Sequence, residues 1–242
     1  MQIVITMAGL GTRFKKAGYS EPKYEITAHN RSLFSWSMES LAGFGDGNDW
    51  YFIVRRADRA YDFIMKEAAT FTDPQRVKII EIDEMTDGQA TTAMLAAPFW
   101  KKREPLLIYN IDTYVLAGCM RCTDMKGDGF IPCFNAPGDH WSFVAVDDNG
   151  YAVEVREKVR ISDNCTLGAY YFSTCDLYEE MYRQYYGEGD HLEKGEKYVA
   201  PLYNHMISLG MKVGISVIDA KNVHVLGTPE ELEVFINTDL GN

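Results

Sequence analysis

The residues best suited to chemistry lie near the amino end, in the stretch Met7-Ala8-Gly9-Leu10-Gly11-Thr12-Arg13-Phe14, with Lys15, Lys16 and Lys23 close behind. Glycines at 9 and 11 allow the backbone to come close to a ligand, and the exposed amides of such a loop can form an anion-binding nest. Arg13, Lys15, Lys16 and Lys23 add positive side chains, opposed in the same window by Glu21 alone. The formal net charge of the chain is −11, so this local excess of positive charge points to bound phosphate groups. The plainer reading is a solvated loop with ordinary glycine turns. Two familiar phosphate motifs fail here. A dinucleotide fingerprint needs a small residue where Phe14 stands, and a P-loop needs Gly-Lys-Ser/Thr after four spacer residues.

Further along, Asp112 follows the apolar run Leu106 to Tyr109. A hard carboxylate at the end of a strand suits Mg²⁺ that bridges phosphate oxygens, although an Asp there can also be a simple turn former. In Asp87-Gly88-Gln89-Ala90 the backbone groups and the Gln89 amide can face the edge of a base, or Gln89 can sit in solvent. Cys119-x-x-Cys122, with Cys133 and His140 downstream, has the atoms for a zinc site but not the spacing of a defensible zinc module. Unligated thiols are the preferred reading. His29, His191, His205 and His224 are scattered and read as structural or exposed. The aromatic group from Tyr182 to Tyr186 reads as core or interface, since the basic interleaving of a nucleic-acid site is missing.

These residues need elements to position them. Apolar runs alternate with helix-period segments over the first half, the pattern of βα units around a mostly parallel sheet. Strands are predicted at Gln2–Met7, Asp49–Val54, Val77–Ile82 and Pro105–Tyr109. Helices are predicted from a Ser32 cap through Phe34, Met38 and Leu41, over Arg56–Ala69, and over Gly88–Trp100. The stretch from Ala8 to about Lys23 reads as one long loop. Beyond Asp112 shorter segments at Gly129–Phe134, Trp141–Val146, Tyr151–Val155 and Thr166–Phe172 read as antiparallel additions to one side of the sheet, with a turn at Asp147-Asp148-Asn149-Gly150. Helices near Thr174–Tyr186 and Val199–Leu209 come next, then strands at Lys212–Val217 and Val223–Leu226. Thr228 and Pro229 open a final helix.

Composition narrows the class. The chain has 242 residues, 46% hydrophobic and 24% charged, which is ordinary for a globular protein. The negative balance repels nucleic-acid phosphates. No apolar run has the length of a membrane span, and Met1 opens directly into Gln2-Ile3-Val4-Ile5, so a cytoplasmic protein without a leader is expected. Five cysteines, an odd number, fit reduced thiols better than a disulfide framework.

Gly9-Leu10-Gly11-Thr12-Arg13, followed by Pro22-Lys23, resembles the signature of the nucleotidyltransferases that make nucleoside-diphosphate sugars. Asp87-Gly88 resembles that family's base-contacting turn, Asn110-Ile111-Asp112 its metal carboxylate, and Glu157-Lys158 its acceptor-phosphate site. Gly168-Ala169-Tyr170-Tyr171-Phe172 resembles the strand that follows, and Gly227-Thr228-Pro229-Glu230-Glu231-Leu232 the closing signature. The resemblance implies a single α/β, Rossmann-like three-layer domain over 1–242, with a mixed, mostly parallel central sheet. It would divide into a nucleotide part at about 1–115 and an acceptor part at about 116–242. Implied nucleotide contacts are Ala8, Gly9, Leu10, Gly11, Thr12, Asp87, Gly88, Gln89 and Asn110. Arg13 and Lys23 are the implied catalytic residues, Glu157, Lys158 and Gly168 the acceptor residues, and Asp112 the Mg²⁺ ligand. Many members carry a second metal Asp where this chain has Val225. Asp219 is the nearest acidic candidate, with a surface turn acid as its other reading.

What the resemblance implies is transfer of NMP from an NTP to the phosphate of a small acceptor, with pyrophosphate released. An in-line attack at the α-phosphorus needs a held polyphosphate, neutralised charge on pyrophosphate and a positioned second anion. Arg13 suits the pyrophosphate, Lys23 the α-phosphate and Lys158 the acceptor phosphate. The residues around the glycine loop and Glu21-Pro22-Lys23-Tyr24 look like a capsule-locus branch that includes cytidylyltransferases acting on phosphoglutamine, beside enzymes of sugar phosphates. CTP is therefore the favoured nucleotide, ahead of UTP or dTTP, and phosphoglutamine or a sugar 1-phosphate the acceptor, for a capsule or surface-polysaccharide precursor. A homo-oligomer is compatible with this reading. A nucleotide-sugar glycosyltransferase of similar fold is an alternative, but the Asp-x-Asp motif is missing at Asn110-Ile111-Asp112. A catalytically silent nucleotide-binding protein is the other, prompted by Val225.

Overall fold

The computed structural model describes residues 1–187, 191–193 and 195–240. Strand β1 (Gln2–Thr6) leads through the glycine loop into the short helix α1 (Thr12–Lys16). A small hairpin of β2 (Thr27–Ala28) and β3 (Arg31–Ser32) precedes α2 (Leu33–Glu39). There follow β4 (Asp49–Arg55), α3 (Tyr61–Ala68), β5 (Val77–Ile82), α4 (Gln89–Met94), β6 (Leu106–Asn110) and β7 (Thr113–Val115). The second half runs β8 (Gly129–Asn135), β9 (Ser142–Val146), β10 (Ala152–Glu157), β11 (Asn164–Thr166), β12 (Ala169–Phe172) and α5 (Cys175–Gly187). It then continues through α6 (Leu202–Ser208), β13 (Val213–Ile218), β14 (Val223–Val225) and α7 (Pro229–Ile236).

Among the described residues the central sheet is ten-stranded and mixed, as the sequence predicts. Its order is β10-β9-β11-β8-β12-β6-β1-β4-β5, with β13 on the other edge of β8. The strands of the first half, β5, β4, β1 and β6, are parallel. β12 joins β6 antiparallel and begins the second half. β13 returns parallel to β8, a pairing that the sequence pattern did not disclose. Side chains alternate across the pleat. Ile3, Ile5, Phe52, Val54, Leu107 and Tyr109 pack on one face, and Val4, Tyr51, Ile53, Leu106 and Ile108 on the other. Near-continuous burial of β1, β4 and β6 is what a parallel strand covered on both faces requires. A third apolar cluster, with Phe14, Trp36, Tyr114, Leu226, Leu232 and Phe235, ties α1, α2 and α7 together.

Several boundaries differ from the sequence reading for identifiable reasons. The predicted loop of residues 8–23 contains α1. The helix expected over Arg56–Ala69 is a 3₁₀ turn at Arg56–Asp58 followed by α3, because Arg59 adopts a left-handed conformation, φ 52°, between them. The helix expected over Gly88–Trp100 ends as α4 at Met94 and continues as turns, in a stretch where Pro98 lacks an amide for helical bonding. The strand expected over Thr166–Phe172 is split into β11 and β12 at Leu167-Gly168, where Gly168 has φ 73°. Ser32 caps α2 by accepting from the Ser35 amide at 3.0 Å, and Thr228 caps α7 by accepting from the Glu231 amide at 3.2 Å, both as expected.

Candidate active site

The carboxyl ends of the parallel strands open into a cleft of about 1020 Å³, the place where open α/β sheets hold ligands. β1 delivers the glycine loop to it, β6 delivers Asn110 and Asp112, and the second half supplies the opposite wall. Ala8, Gly9, Leu10, Gly11, Thr12, Arg13 and Lys15 all line the cleft, and Gly11 turns the chain into α1 with φ 61°. A β-carbon added at Gly9 or Gly11 would meet nothing within 4 Å, so both backbones border open space. Lys16 lies outside the main cleft, in a small hollow with Arg13, Ala17, Pro229 and Glu230.

Lys23 is held by its surroundings. The Tyr24 ring next to it is buried, and its hydroxyl donates to Asp58 Oδ2 at 3.2 Å, while Arg55 pairs with the same carboxylate. Burial, with Asp58 adding to it, pushes the Tyr24 phenol well up, so this anchor stays protonated. Lys23 Nζ reaches Asp112 Oδ2 at 3.2 Å, with the lysine side chain 17% exposed. The sequence reading placed these two residues in separate roles; the fold places them in contact.

Asp112 is fixed from three sides. Ser37 on α2 donates to the Ile111 carbonyl, the Tyr109 hydroxyl donates to the Thr113 carbonyl, and the Leu226 amide donates to the Asp112 carbonyl at 2.8 Å. β7 and β14 pair antiparallel, Thr113 opposite Val225. The chain then turns at Gly227 directly beside Asp112. A β-carbon at Gly227 would stand 3.6 Å from Asp112 Oδ2 and 3.3 Å from Glu231 Oε2. That Glu231 oxygen is buried and without a hydrogen-bond partner. A hard cation fits this donor set. Oxygen ligands converge on a glycine-lined space, and one carboxylate oxygen there is otherwise unsatisfied.

The turn at Asp87-Gly88-Gln89 is built differently from the expectation. Gln89 points into the cleft, donating from Nε2 to Thr6 Oγ1 at 3.2 Å and to Asn110 Oδ1. Asp87 does not line the cleft. Its carboxylate pairs with Lys197 Nζ at 2.8 Å and accepts from Thr91, and hydrogen bonds to both hold it below the usual carboxylate range against the opposing effect of burial. Its place is to fasten the turn to the segment around Lys197. That segment also donates its amide to the Asp87 carbonyl at 2.7 Å and accepts from the Ala90 amide at 3.0 Å. Gly88 is obligatory there, since a β-carbon would lie 2.3 Å from the Lys197 carbonyl oxygen and φ is 144°.

On the opposite wall Glu157, Lys158, Thr166 and Gly168 meet His140, Trp141, Ser142, Tyr170, Glu196 and Tyr198. Lys158 has a left-handed backbone, φ 54°, with its amide donating to the Trp141 carbonyl at 2.8 Å. Its Nζ donates to the Tyr198 hydroxyl at 3.0 Å and pairs with Glu157 Oε1 at 3.3 Å. Burial pulls this lysine down, but the Tyr198 hydrogen bond and the Glu157 charge outweigh it and hold it above its ordinary value. Glu157, almost buried, accepts from Ser142 and so is held in place beside Lys158. Gly168 makes room for Asn110, since a β-carbon would stand 2.5 Å from Asn110 Nδ2.

The remaining candidates lie elsewhere. Asp219 caps a 3₁₀ turn, accepts from the Lys221 amide and pairs with Lys221 Nζ at 2.8 Å, outside the cleft. Cys133 is buried on the opposite face of the sheet from Cys119 and Cys122, and the cysteines are free thiols. His29 bonds the Phe235 carbonyl, His205 bonds Gln184, and His191 and His224 stack on Tyr185 and Tyr114. Sequence reasoning missed Glu196, Lys197 and Tyr198, which stand between two helices with no local motif, and His140 and Trp141 as cleft residues. It also left Glu231 inside a helix-opening motif without separate weight.

No helix of the described residues is long and apolar enough to cross a membrane. No protein-family model matches the chain, and no curated protein matches it. Among solved structures the chain is similar to the nucleoside-diphosphate-sugar pyrophosphorylase from Vibrio cholerae RC9. The identity is 33% over 98% of this chain and 100% of that one, with a TM-score of 0.89. It also shares its fold with the inositol-1-phosphate CTP transferase from T. maritima, at 13% identity, 100% and 98% coverage and a TM-score of 0.72. A putative glucose-1-phosphate thymidylyltransferase from Bacillus anthracis gives 13% identity, the same coverage and a TM-score of 0.75. With a third of its residues identical along essentially its full length, and with Arg13, Lys23, Asp112 and Lys158 gathered in one cleft, the chain belongs to the nucleoside-diphosphate-sugar pyrophosphorylase family of nucleotidyltransferases.

Proposed function

We propose that the cleft transfers NMP from an NTP to the phosphate of a small acceptor. The observation that carries this reading is the placement of Arg13 and Lys23 on one wall and Lys158 on the other, around a single space floored by the glycine loop and Asp112. An oxygen of the acceptor phosphate attacks the α-phosphorus. The new P–O bond forms as the bond from the α-phosphorus to the bridging oxygen breaks, and pyrophosphate leaves with that electron pair. An acceptor phosphate ionised near neutral pH needs no protein base. Lys23 neutralises the α-phosphate, Arg13 the departing pyrophosphate, and Lys158, oriented by Glu157, holds the acceptor. Asp112 is the proposed ligand of Mg²⁺, whose chemistry when bound is to neutralise phosphate oxygens.

In this reading residues of about 1–115 hold the nucleotide and those of about 116–242 the acceptor. Gln89 and the glycine loop face the base, with Asp87 and Gly88 supporting the turn. CTP is the proposed nucleotide, ahead of UTP or dTTP, and phosphoglutamine or a sugar 1-phosphate the proposed acceptor. The likeness of the glycine loop and Glu21-Pro22-Lys23-Tyr24 to the capsule-locus branch supports both choices. The same likeness supports a role in capsule or surface-polysaccharide precursor synthesis, in the cytoplasm where nucleoside triphosphates are held. A glycosyltransferase would hold only the diphosphate of an already activated sugar, whereas Arg13, Lys23 and Lys158 in one cleft offer cations for a triphosphate and for a separate acceptor phosphate.

The test is pyrophosphate release with Mg²⁺, crossing CTP, UTP, dTTP, ATP and GTP with sugar 1-phosphates, phosphocholine-like esters and phosphoglutamine. Release that requires one nucleotide together with one acceptor is expected. Release with nucleotide alone, or nucleotide binding without turnover across the panel, contradicts the proposal.

A further inference from the structure

We propose that Glu231, at the start of α7, is the second carboxylate of the divalent-cation site, facing Asp112 across Gly227. The inference rests on the metal reading of Asp112 and extends it to a residue that stands six positions beyond Val225, where many family members have their second acid. Three observations converge. Glu231 Oε2 is buried and has no hydrogen-bond partner, an arrangement that native proteins rarely leave without a ligand. Gly227 has no side chain between the two acids, and a β-carbon there would lie 3.3 Å from Glu231 Oε2 and 3.6 Å from Asp112 Oδ2. Glu231, Gly227, Asp112 and Val225 all line the same cleft.

The backbone explains how the two acids are brought together. β14 pairs with β7 so that the Leu226 amide meets the Asp112 carbonyl, and the next residue is the glycine that opens α7. Val225 occupies the strand position opposite Thr113 and contributes only an apolar surface there. A glutamate one helical turn further along has the reach to supply the missing charge from the other side of Gly227. The plainer role for Glu231 is the third residue of a capping box, whose carboxylate reaches back to the N-cap amide. Thr228 does accept from the Glu231 amide, but the buried Oε2 makes no return bond. Lys23 Nζ against Asp112 Oδ2 shows that positive charge is already accommodated at this position.

The experiment is a titration of the whole protein with Mn²⁺ alone, reading free Mn²⁺ by electron paramagnetic resonance, for the wild type, D112N, E231Q and E230Q. Melting curves without metal confirm that each variant is folded, and Gln keeps both the volume and the helix propensity of Glu. D112N and E231Q should each weaken Mn²⁺ binding at least about tenfold, and E230Q, altering an exposed acid of the same first turn, should leave it unchanged. Wild-type affinity in E231Q with loss in D112N would overturn the role of Glu231 while leaving the Asp112 site standing. Equal loss in E230Q and E231Q would also overturn it, by reducing the effect to helix charge. Wild-type affinity in both D112N and E231Q would overturn the metal site itself.

Discussion

Lys158 shows how a single cation is held in place at the cleft. It spends a left-handed backbone conformation, rests on the Tyr198 ring and keeps its ammonium between Tyr198 and Glu157. Replacing it by Ala should raise the acceptor KM roughly 10- to 100-fold, the range of one lost charge-assisted hydrogen bond, with nucleotide affinity unchanged. A fall in nucleotide affinity instead would mean that the two phosphate sites are reversed. Because its folded pKa lies above the ordinary lysine value, the stability from this pair is fully present below that value. It is lost only as pH rises through the raised one. Acceptor KM should therefore be flat on the lysine side from pH 7 to 9, and a rise in that window would contradict the assignment. In the proposed mechanism Arg13 and Lys23 act on charge that develops during transfer, so Ala at either should lower kcat by about 10²- to 10³-fold without changing the melting temperature of the free protein by much. Near-normal turnover in either variant would remove that residue from the chemistry.

Two glycines allow close approaches between elements that no other residue would permit. Gly88 lets the turn at Asp87-Gly88-Gln89 lie against the Lys197 backbone, and Gly168 lets β12 begin against Asn110. Gly88→Ala combines a steric conflict with a disfavoured φ and should destabilise the fold by about 1–3 kcal/mol, measurable by denaturant unfolding. An unchanged unfolding midpoint would show that the clamp between Asp87 and Lys197 is not rigid. Caps were the most legible feature at this scale: Ser32 and Thr228 announce α2 and α7 through short-range chemistry, and both bonds are present. Less legible were interruptions inside apparently regular patterns. Arg59 breaks a helix-period run by its own left-handed conformation, and Leu167-Gly168 splits a run of strand formers because Asn110 needs the space. At Gly168 a tertiary demand overrides a local propensity, and a single sequence carries no trace of the partner that makes the demand.

Across the whole molecule, the parallel half could be read from burial alone, since strands covered on both faces leave long apolar runs such as Ile3-Val4-Ile5 and Leu106-Leu107-Ile108. The glycine-loop wall of the cleft was legible for another reason, its residues standing in short motifs at 8–23, 87–89 and 110–112. The opposite wall was legible only in part: Glu157, Lys158 and Gly168 stand in motifs, whereas the segments around 140 and 197 that join them there carry none. Arg13, Lys15, Lys23 and Lys158 line the cleft of this acidic chain among carboxylates, and Asp112 and Glu157 pair with two of them. The central claim, that a phosphate of the acceptor attacks the α-phosphorus and pyrophosphate leaves, is tested most directly by isotope position. The acceptor of the active pair would be labelled with ¹⁸O in its phosphate, and product and pyrophosphate analysed by mass spectrometry. Label retained entirely in the nucleotide-bearing product, with unlabelled pyrophosphate released only when both substrates are present, is the predicted result. Labelled pyrophosphate, or pyrophosphate formed without the acceptor, would contradict it.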